Sequence, residues 1–373
     1  MKVLITGGAG FIGSHTADAL LAQGHAVRIL DSLEEPVHPG RRKPDYLDAR
    51  CEFTQGDVRD ADTLLAALQG CERVVHLAAF QDYLPTFSRF FDVNVTSTAL
   101  LYELIVREKL PITKVMVASS QATLGEGLYL DADGRRVLPD IRPDAQLREG
   151  RWEVSAPSGT RGPLMWQFTD ESVANPQNQY GLSKIAEENV ALHLGKRYEI
   201  PTVAMRYSIV QGPRQSYYNA YSGACRVFCL AFATGQQPQI FEDGQQIRDF
   251  VNIHDVVDAN LLCLTDERAD FGMFHVGGDH AVTVEQFACI VAEVYGVKDY
   301  QPRASGKYRF GDTRHICSNV DKLKALGWQP RRSMHDSVEA YRAWLATACS
   351  AADILRDARQ QMEALGVVRD VST

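Results

Sequence analysis

The chain alternates between short runs of strand-forming residues and longer stretches whose apolar positions recur at helical spacing. The runs lie at 2–6, 26–30, 51–57, 73–79 and 114–119, and the helical stretches lie at 11–23, 61–69 and 92–109. Runs of this length indicate buried strands, and their alternation with helices favours a parallel sheet covered on both faces. The pattern therefore predicts a doubly wound α/β fold.

The alternation stops over residues 126–174, which are rich in Gly, Pro, Asp and Arg. Trp152 and Trp166 are the main apolar positions of this segment. A segment of this length without periodicity predicts an irregular insertion. Three interpretations of it stay open, namely a lid over a ligand, an oligomer contact and plain surface.

The second half of the chain predicts a smaller C-terminal α/β domain. Helical spacing covers 180–199 and 225–235, a strand is predicted at 202–208, and residues 239–253 resemble a hairpin. The predicted domains are a dinucleotide-binding domain over 1–215, to which 247–275 returns, a substrate-binding domain over 216–246 and 276–350, and a helical tail over 351–373.

Composition narrows the possible partners. The formal net charge of −8 argues against a nucleic-acid-binding surface, which would carry a basic stripe. Eight cysteines without a C-x-x-C pair argue against a structural zinc site or a disulfide framework, and we predict no metal. No apolar run has the 18 or so residues that a membrane span needs, and the first residues read as a strand rather than a signal peptide. We therefore expect a cytoplasmic protein without a membrane partner.

The first strand leads into a glycine-rich turn, TGGAGFIG, with glycines at 7, 10 and 13. Gly7 permits the tight turn, Gly10 lets the backbone approach a pyrophosphate, and Gly13 allows close packing of the helix. The helix that follows offers N–H donors and a positive dipole to the phosphates. The motif predicts that the sheet is of the Rossmann type and binds a dinucleotide.

Asp31 ends the second strand, eighteen positions after the last glycine of the turn. A carboxylate at this position can bind the hydroxyls of the adenosine ribose and would repel a 2′-phosphate. The sequence therefore favours NAD over NADP. Arg41 and Arg42 are the residues that would reverse this preference. Asp57 and Val58 follow the third strand, at the height expected for contacts with adenine.

Tyr180 and Lys184 open the helix after the fifth strand, and their i,i+4 spacing places both side chains on one face. A free tyrosine titrates near about 10, so a base that works near pH 7 needs a pKa lowered by roughly three units. The Lys184 ammonium, together with the positive charge of a bound nicotinamide, is expected to supply that shift. We also expect Lys184 to hold the nicotinamide ribose.

Together these motifs resemble the extended short-chain dehydrogenase/reductase family, in particular its NAD-dependent nucleotide-sugar epimerases and dehydratases. The resemblance covers residues 1 to about 345, apart from 126–174. It implies the following cofactor-binding set: Gly7, Gly10, Phe11, Ile12, Gly13, Asp31, Ser32, Asp57, Val58, Leu77, Ala78, Ala79, Asn94, Ser119, Tyr180, Lys184 and Tyr207. It also implies a homodimer in which the helices at 92–109 and 180–199 pair across the interface; the alternative is that both only cover the sheet within one subunit.

The resemblance continues at the substrate end, where the implied ligand is a nucleotide-diphosphate sugar. MRYSIVQGPRQ (205–215) is similar to the family's R-Y-x-N-V-Y-G-P stretch, but Ile209 replaces Asn and Gln211 replaces Tyr. A guanidinium fork suits phosphate oxygens, so Arg248 and Arg309 are the expected diphosphate ligands. The predicted substrate-binding residues are Gln81, Gln211, Arg214, Asn219, Phe241, Arg248 and Arg309.

The stretch VASSQATLGEG (117–127) has Gln121 where most relatives carry a catalytic Ser or Thr. Gln121 can donate or accept a hydrogen bond but cannot titrate usefully, and Ser120 and Thr123 are the nearest replacement hydroxyls. Relatives that eliminate water have Asp and Glu in the next two positions, where this chain has Ala122 and Thr123. The predicted catalytic residues are therefore Tyr180, Lys184, Ser120, Gln121 and Thr123, and epimerisation is favoured over dehydration.

Three hypotheses about function follow from these residues. The leading one is an NAD-dependent nucleotide-sugar 4-epimerase that works through a transient keto sugar. The second is a nucleotide-sugar dehydrogenase or ketoreductase with net hydride transfer. The third is a catalytically silent NAD-binding protein on the same scaffold, motivated by Gln121, Ile209 and Gln211.

Overall fold

A computed structural model describes residues 1–82, 85–219, 223–347, 366 and 368–371. The strands are β1 (Lys2–Thr6), β2 (Ala26–Asp31), β3 (Glu52–Gln55), β4 (Arg73–His76), β5 (Lys114–Ser120), β6 (Leu128–Leu130), β7 (Arg136–Val137), β8 (Met165–Gln167), β9 (Thr202–Tyr207), β10 (Ile209–Gln211), β11 (Ile247–Asn252), β12 (Met273–Val276), β13 (Ala281–Thr283), β14 (Lys307–Arg309) and β15 (Val368–Asp370). The helices are α1 (Phe11–Ala22), α2 (Ala61–Leu68), α3 (Phe87–Phe91), α4 (Ser97–Arg107), α5 (Asp144–Arg148), α6 (Gln179–Arg197), α7 (Ala224–Ala233), α8 (Ile253–Thr265), α9 (Val284–Val294), α10 (Asp321–Lys324) and α11 (Met334–Leu345). None of these helices is both long and apolar enough to cross a membrane.

Seven parallel strands form the central sheet in the order β12-β9-β5-β4-β1-β2-β3. One apolar core lies between this sheet and α1 and α8, and a second lies between its other face and α2, α4 and α6. The predicted Rossmann-type, doubly wound fold is confirmed. The strand order reverses between β1 and β4, and ligands of such sheets bind at the carboxyl ends of the strands beside this point.

The C-terminal half builds a smaller α/β unit with its own core. Helices α7, α9 and α11 pack together against the short sheet β10-β11-β13, whose side chains join one apolar cluster. Residues 239–253 do not form the predicted hairpin. Only β11 is a strand there, and it pairs with β10 in parallel and with β13 antiparallel.

The segment 126–174 is not irregular throughout, which corrects the prediction made from its sequence. It contains a three-stranded sheet, β7-β6-β8, and the short helix α5. Leu128 packs with Leu124, Val173 and Ile316 in a small separate cluster. So few apolar positions carry this structure that no periodicity is visible in the sequence.

The predicted helical tail over 351–373 lies largely outside the described residues. Its residues 368–370 form the strand β15, so the prediction of a helix is wrong there. The strand pairs antiparallel with β14, and Tyr308 stands opposite Arg369. The predicted domain boundaries stay a prediction.

Candidate active site

A cavity of about 950 Å³ runs from the glycine turn, along the carboxyl ends of the central strands, to the C-terminal unit. Most residues predicted from the sequence to bind cofactor or substrate line it. They are Gly7, Gly10, Phe11, Ile12, Gly13, Asp31, Ser32, Asp57, Val58, Leu77, Ala78, Ala79, Gln81, Ser119, Ser120, Gln121, Tyr180, Lys184, Tyr207, Asn219, Phe241, Arg248 and Arg309.

The glycine turn is packed so closely that side chains are excluded from it. Gly7 has a φ of +67°, and a Cβ on it would lie 2.8 Å from the backbone nitrogen of Ala78. A Cβ on Gly13 would lie 2.5 Å from the carbonyl oxygen of Gly7. The turn lines the cavity at the N-terminus of α1, whose first N–H groups fit a pyrophosphate.

Gly13→Ala is expected to weaken NAD binding at least about tenfold, or about 1.4 kcal/mol, because the added Cβ would push the turn away from α1. Calorimetric titration of the cofactor-stripped protein with NAD measures the change. Ala22→Ser, at the exposed end of the same helix, is the control and should bind NAD like the wild type. An unchanged affinity in Gly13→Ala would contradict the assignment of the turn to the cofactor.

Two backbone N–H groups hold the side chain of Asp31 in place. Its carboxylate accepts hydrogen bonds from the N–H groups of Ala9 at 2.9 Å and Leu33 at 2.8 Å. Burial lowers the pKa of the neighbouring His38, so that ring is neutral and leaves the carboxylate charge uncompensated. Arg41 and Arg42 are exposed and are not among the cavity-lining residues. The arrangement fits ribose hydroxyls better than a 2′-phosphate.

Tyr180, Ser120 and Lys184 lie together in the middle of the cavity wall. The Tyr180 and Ser120 side chains are hydrogen-bonded to each other. The Nζ atom of Lys184 lies 5.8 Å from the centre of the Tyr180 ring and donates to the carbonyl oxygen of Ala118 at 2.8 Å. It also donates to the carboxylate of Glu187 at 2.7 Å. A phenol is thus hydrogen-bonded to a hydroxyl with an ammonium nearby, which suits proton transfer.

The pKa of Tyr180 indicates that Lys184 alone does not supply the expected shift. Burial raises it above the ordinary value, and the Lys184 ammonium opposes this rise without reversing it. Lys184 thus acts in the predicted direction, but burial has the larger effect. The phenol is therefore protonated at neutral pH in the protein alone.

The amide nitrogen of Gln121, a residue that lines the cavity, is hydrogen-bonded within the protein. Its Nε2 atom donates to the hydroxyl oxygens of Ser318 at 3.1 Å and Ser208 at 3.3 Å. Ser208 in turn donates to the buried carboxylate of Asp249 at 2.7 Å. Gln121 therefore joins the cavity wall to this polar network, while Ser120 is the hydroxyl that reaches Tyr180.

Four predicted site residues are not among those that line the cavity. Thr123 is fully buried, and its hydroxyl donates to the carbonyl oxygen of Ser120 at 2.8 Å, so the prediction that it replaces the catalytic hydroxyl is wrong. Gln211 is 1% exposed on β10. Arg214 pairs with Asp18 at 2.7 Å on the surface of α1.

Asn94 is the fourth of these residues. It is fully buried in a π-helical turn, Asp92–Thr96, between α3 and α4. Its amide exchanges two hydrogen bonds with the backbone of Phe80 and donates to Ser183 at 2.9 Å. Asn94 therefore fixes the loop after β4 against α6, which positions the cavity wall without lining it.

The opposite end of the cavity is cationic. Arg248 and Arg309 both pair with Asp312, at 3.2 and 2.7 Å. Burial alone would raise the pKa of Asp312, but the charges of Arg309 and Arg248 lower it to about 2. Two guanidinium groups therefore share one carboxylate, which leaves a net positive charge for an anionic ligand.

Several residues in this part of the wall were not predicted from the sequence, among them Phe310, Ile141 and Arg369. Phe310 and Ile141 are partly exposed apolar residues that line the cavity. Arg369, on β15, lies 4.8 Å from the centre of the Phe310 ring, pairs with Asp144 at 2.7 Å and also lines the cavity. No motif in the sequence links residue 369 to the cavity.

Buried ion pairs attach the insertion to the C-terminal unit. Arg142, in the insertion, is 1% exposed at its side chain and pairs with Glu126 at 3.3 Å and Glu242 at 2.8 Å. Arg314 pairs with the same Glu242 at 3.1 Å and with Glu153, also in the insertion, at 2.6 Å. The insertion is therefore part of the wall around the cationic end of the cavity.

The model of the NAD dependent epimerase/dehydratase family matches residues 3–142 and 156–277. The matched ranges contain the glycine turn, Asp31, Tyr180 and Lys184, and the gap between them lies inside the insertion.

Curated relatives and solved structures match over nearly the whole chain. The dTDP-L-rhamnose 4-epimerase of Burkholderia thailandensis is 33% identical over 352 residues, which cover 92% of this chain and 95% of that protein. The UDP-glucose 4-epimerase of Lacticaseibacillus casei is 28% identical, with 91% and 94% covered. The crystal structure of UDP-glucose 4-epimerase with UDP-glucose from Thermotoga maritima has a TM-score of 0.74 and 26% identity, and the match covers 93% of this chain and 99% of that one.

Proposed function

Because the chain belongs to the NAD dependent epimerase/dehydratase family, we propose that it is a nucleotide-sugar 4-epimerase that uses NAD. The observation that carries the proposal is the hydrogen-bonded pair of Tyr180 and Ser120, with the ammonium of Lys184 beside it in the cavity wall. The residues that follow Ser120 and Gln121 support epimerisation rather than dehydration, since Ala122 and Thr123 supply no carboxylate.

In this proposal Tyr180 receives the proton of the C4 hydroxyl of the sugar through the Ser120 hydroxyl. The glycine turn and Asp31 hold NAD, which when bound accepts a hydride from C4 and returns it. Burial raises the pKa of Tyr180, and the positive charge of Lys184 opposes this rise. The positive charge of a bound oxidised nicotinamide would act in the same direction, so both charges favour the phenolate. The cavity would allow the keto sugar to turn over, so that the hydride would return to its other face, while Tyr180 would return the proton through Ser120.

Arg248 and Arg309 bind the diphosphate of the substrate in this proposal. Both guanidinium groups line the cavity, and their positive charge attracts the anion. The Nη atoms of Arg248 already donate to Asp312 and to the carbonyl oxygens of Ile247, Thr313 and Arg314, so Arg248 acts through its charge. The ring of Phe241 lies 5.4 Å below the guanidinium of Arg309 and orients it toward the cavity. The homodimer implied by the family resemblance is also part of the proposal.

Ser120→Ala is expected to lower kcat about 10- to 100-fold, because it removes the hydroxyl that connects the sugar oxygen to Tyr180. Gln121→Ala should lower kcat less and should reduce thermal stability more, since it breaks the contacts with Ser208 and Ser318. Steady-state kinetics and thermal unfolding of both variants measure the two effects. A larger loss of kcat in Gln121→Ala than in Ser120→Ala would assign the catalytic hydrogen bond to Gln121 instead.

The substrate is identified by what the protein binds. Mass spectrometry of small molecules released from the purified protein, followed by a thermal-shift panel of nucleotide sugars, ranks the candidates, because a bound ligand raises stability with the logarithm of its excess over Kd. The best ligand is then incubated with the enzyme, and both C4 epimers are quantified. Interconversion without accumulation of reduced nicotinamide supports the proposal. Stoichiometric NADH would favour a dehydrogenase, and binding without either product would favour a silent protein.

A further inference from the structure

Glu187 is a buried carboxylate behind the catalytic pair, in a position that the proposed reaction does not use. It lies on α6, three residues after Lys184, and its side chain is 1% exposed. One of its oxygens accepts a hydrogen bond from Lys184 Nζ at 2.7 Å. The other, Oε1, has no hydrogen-bond partner among the described residues.

We propose that Glu187 is a positioning residue that holds Lys184 and sets the proton affinity of Tyr180. The inference rests on the proposed function, in which Tyr180 is the base. The geometry gives Lys184 two fixed acceptors, the carbonyl oxygen of Ala118 at 2.8 Å and the carboxylate of Glu187 at 2.7 Å. The ammonium is therefore anchored beside the phenol, and the net charge of the Lys184–Glu187 pair depends on whether Glu187 is ionised.

The charge of Glu187 works against that of Lys184 at the phenol. When Glu187 is ionised, the pair is close to neutral and attracts a phenolate weakly. When Glu187 is protonated, the full ammonium charge acts on Tyr180. Because the groups are buried, their interaction is screened less than it would be in water.

The charge of Glu187 changes near neutral pH, where an enzyme usually works. Burial raises the pKa of Glu187 to about 7, against the opposing effect of Lys184. As the pH rises through this value, Glu187 becomes negative and makes ionisation of Tyr180 harder. The two titrations are therefore coupled, and the ionisation of Tyr180 is spread toward higher pH.

Other charged groups near α6 do not reproduce this effect. Glu188, on the same helix, is paired with Arg206 of β9 at 2.8 Å and accepts a hydrogen bond from Ser119 of β5. Burial, with a smaller effect of Lys184, lowers the pKa of His76 on β4 to about 3, so that its ring stays neutral above that pH. On α4, burial raises the pKa of Tyr102 far above neutrality, and its hydroxyl is bonded to Thr202.

Glu187→Gln is the first test, because it keeps the shape and an acceptor for Lys184 but removes the charge. We expect the phenolate of Tyr180 to form at a pH lower by about one unit, and the acid limb of the kcat–pH profile to move down with it. The phenolate is measured as the tyrosinate absorbance of each protein minus that of the same protein with Tyr180→Phe. Glu187→Asp retains a carboxylate and should lie nearer to the wild type.

Glu103→Gln is the matched control, because Glu103 is an exposed carboxylate on α4 that pairs with Arg107. This variant should leave the phenolate titration and the kcat–pH profile unchanged. A phenolate midpoint in Glu187→Gln that is unchanged or higher overturns the inference, whatever the turnover. Glu187→Met removes the charge at similar volume, and a failure of both variants to fold would assign Glu187 to stability alone and would also overturn it. Failure of the proposed function is distinguishable, because it appears as normal turnover in Tyr180→Phe.

Discussion

Tyr180→Phe is expected to lower kcat at least about a hundredfold while NAD remains bound. The phenol is hydrogen-bonded to Ser120 in the cavity wall, and phenylalanine keeps the ring while removing the group that carries the proton. Lys184 is held by Ala118 and Glu187, so its position does not depend on the hydroxyl. The effect should therefore fall on turnover and not on the cofactor.

The matched control for this variant is Tyr102→Phe. Tyr102 is also buried and is not among the cavity-lining residues, and its hydroxyl is bonded to Thr202, so the loss of this hydroxyl should cost only about 1 kcal/mol of stability. Epimer ratios measured over time give kcat, and absorbance of the denatured supernatant gives the NAD content. Near-normal turnover in Tyr180→Phe would discard the mechanism, and loss of NAD would show that the hydroxyl serves the cofactor.

The central sheet could be predicted because local signals sufficed for it. The run at 2–6 coincides with β1, and that at 114–119 is β5 without its last residue. Buried parallel strands are continuous apolar runs, so their pattern does not depend on distant partners. The family resemblance carried by the same motifs is confirmed by the family model.

Distant pairings could not be predicted. The strand β11 pairs with β10 and β13, which come from before and after it in the chain, and the sequence 239–253 alone resembles a hairpin. Arg369 reaches the cavity because β15 pairs with β14, some sixty residues away in sequence. Such pairings are set by tertiary packing, which single-segment patterns do not contain.

Some residues of the candidate site could likewise be predicted from the sequence, and others could not. Residues on the glycine turn and on α6 are fixed by spacing along one element, and the structure brings them to one cavity. Asn94, by contrast, has the polar side chain expected of a ligand contact, but its amide is hydrogen-bonded to the backbone of Phe80. Polar residue type predicts that a partner exists, and it does not distinguish a ligand from the protein's own backbone.

Arg142→Met is expected to lower the free energy of unfolding by about 3 to 5 kcal/mol, because it leaves buried carboxylates without their cation. Arg142 pairs with Glu126 and Glu242, both 1% exposed at the side chain, and donates to the carbonyl oxygen of Trp152 at 2.7 Å. Arg314 still pairs with Glu242 in the variant, so the largest penalty falls on Glu126. Urea unfolding followed by tryptophan fluorescence measures the loss.

The pH dependence of this loss identifies its cause. Burial raises the pKa of Glu126 to about 7, and Arg142 opposes that rise, so removing Arg142 raises the pKa further. Between the ordinary value near about 4.3 and this raised value, the native state binds more protons than the unfolded state, and stability falls as the pH rises. The deficit of Arg142→Met should therefore be larger at about pH 8 than at about pH 5.5.

Arg148→Met removes an exposed arginine of the same insertion, paired with Asp144, and should cost less than about 0.5 kcal/mol at either pH. Because Ile141 lines the cavity next to Arg142, the loosened insertion should also raise KM for the nucleotide sugar while NAD binding at the far end stays unchanged. A deficit independent of pH would assign the loss to packing. A normal KM beside lowered stability would show that the insertion stabilises the fold without shaping the substrate end.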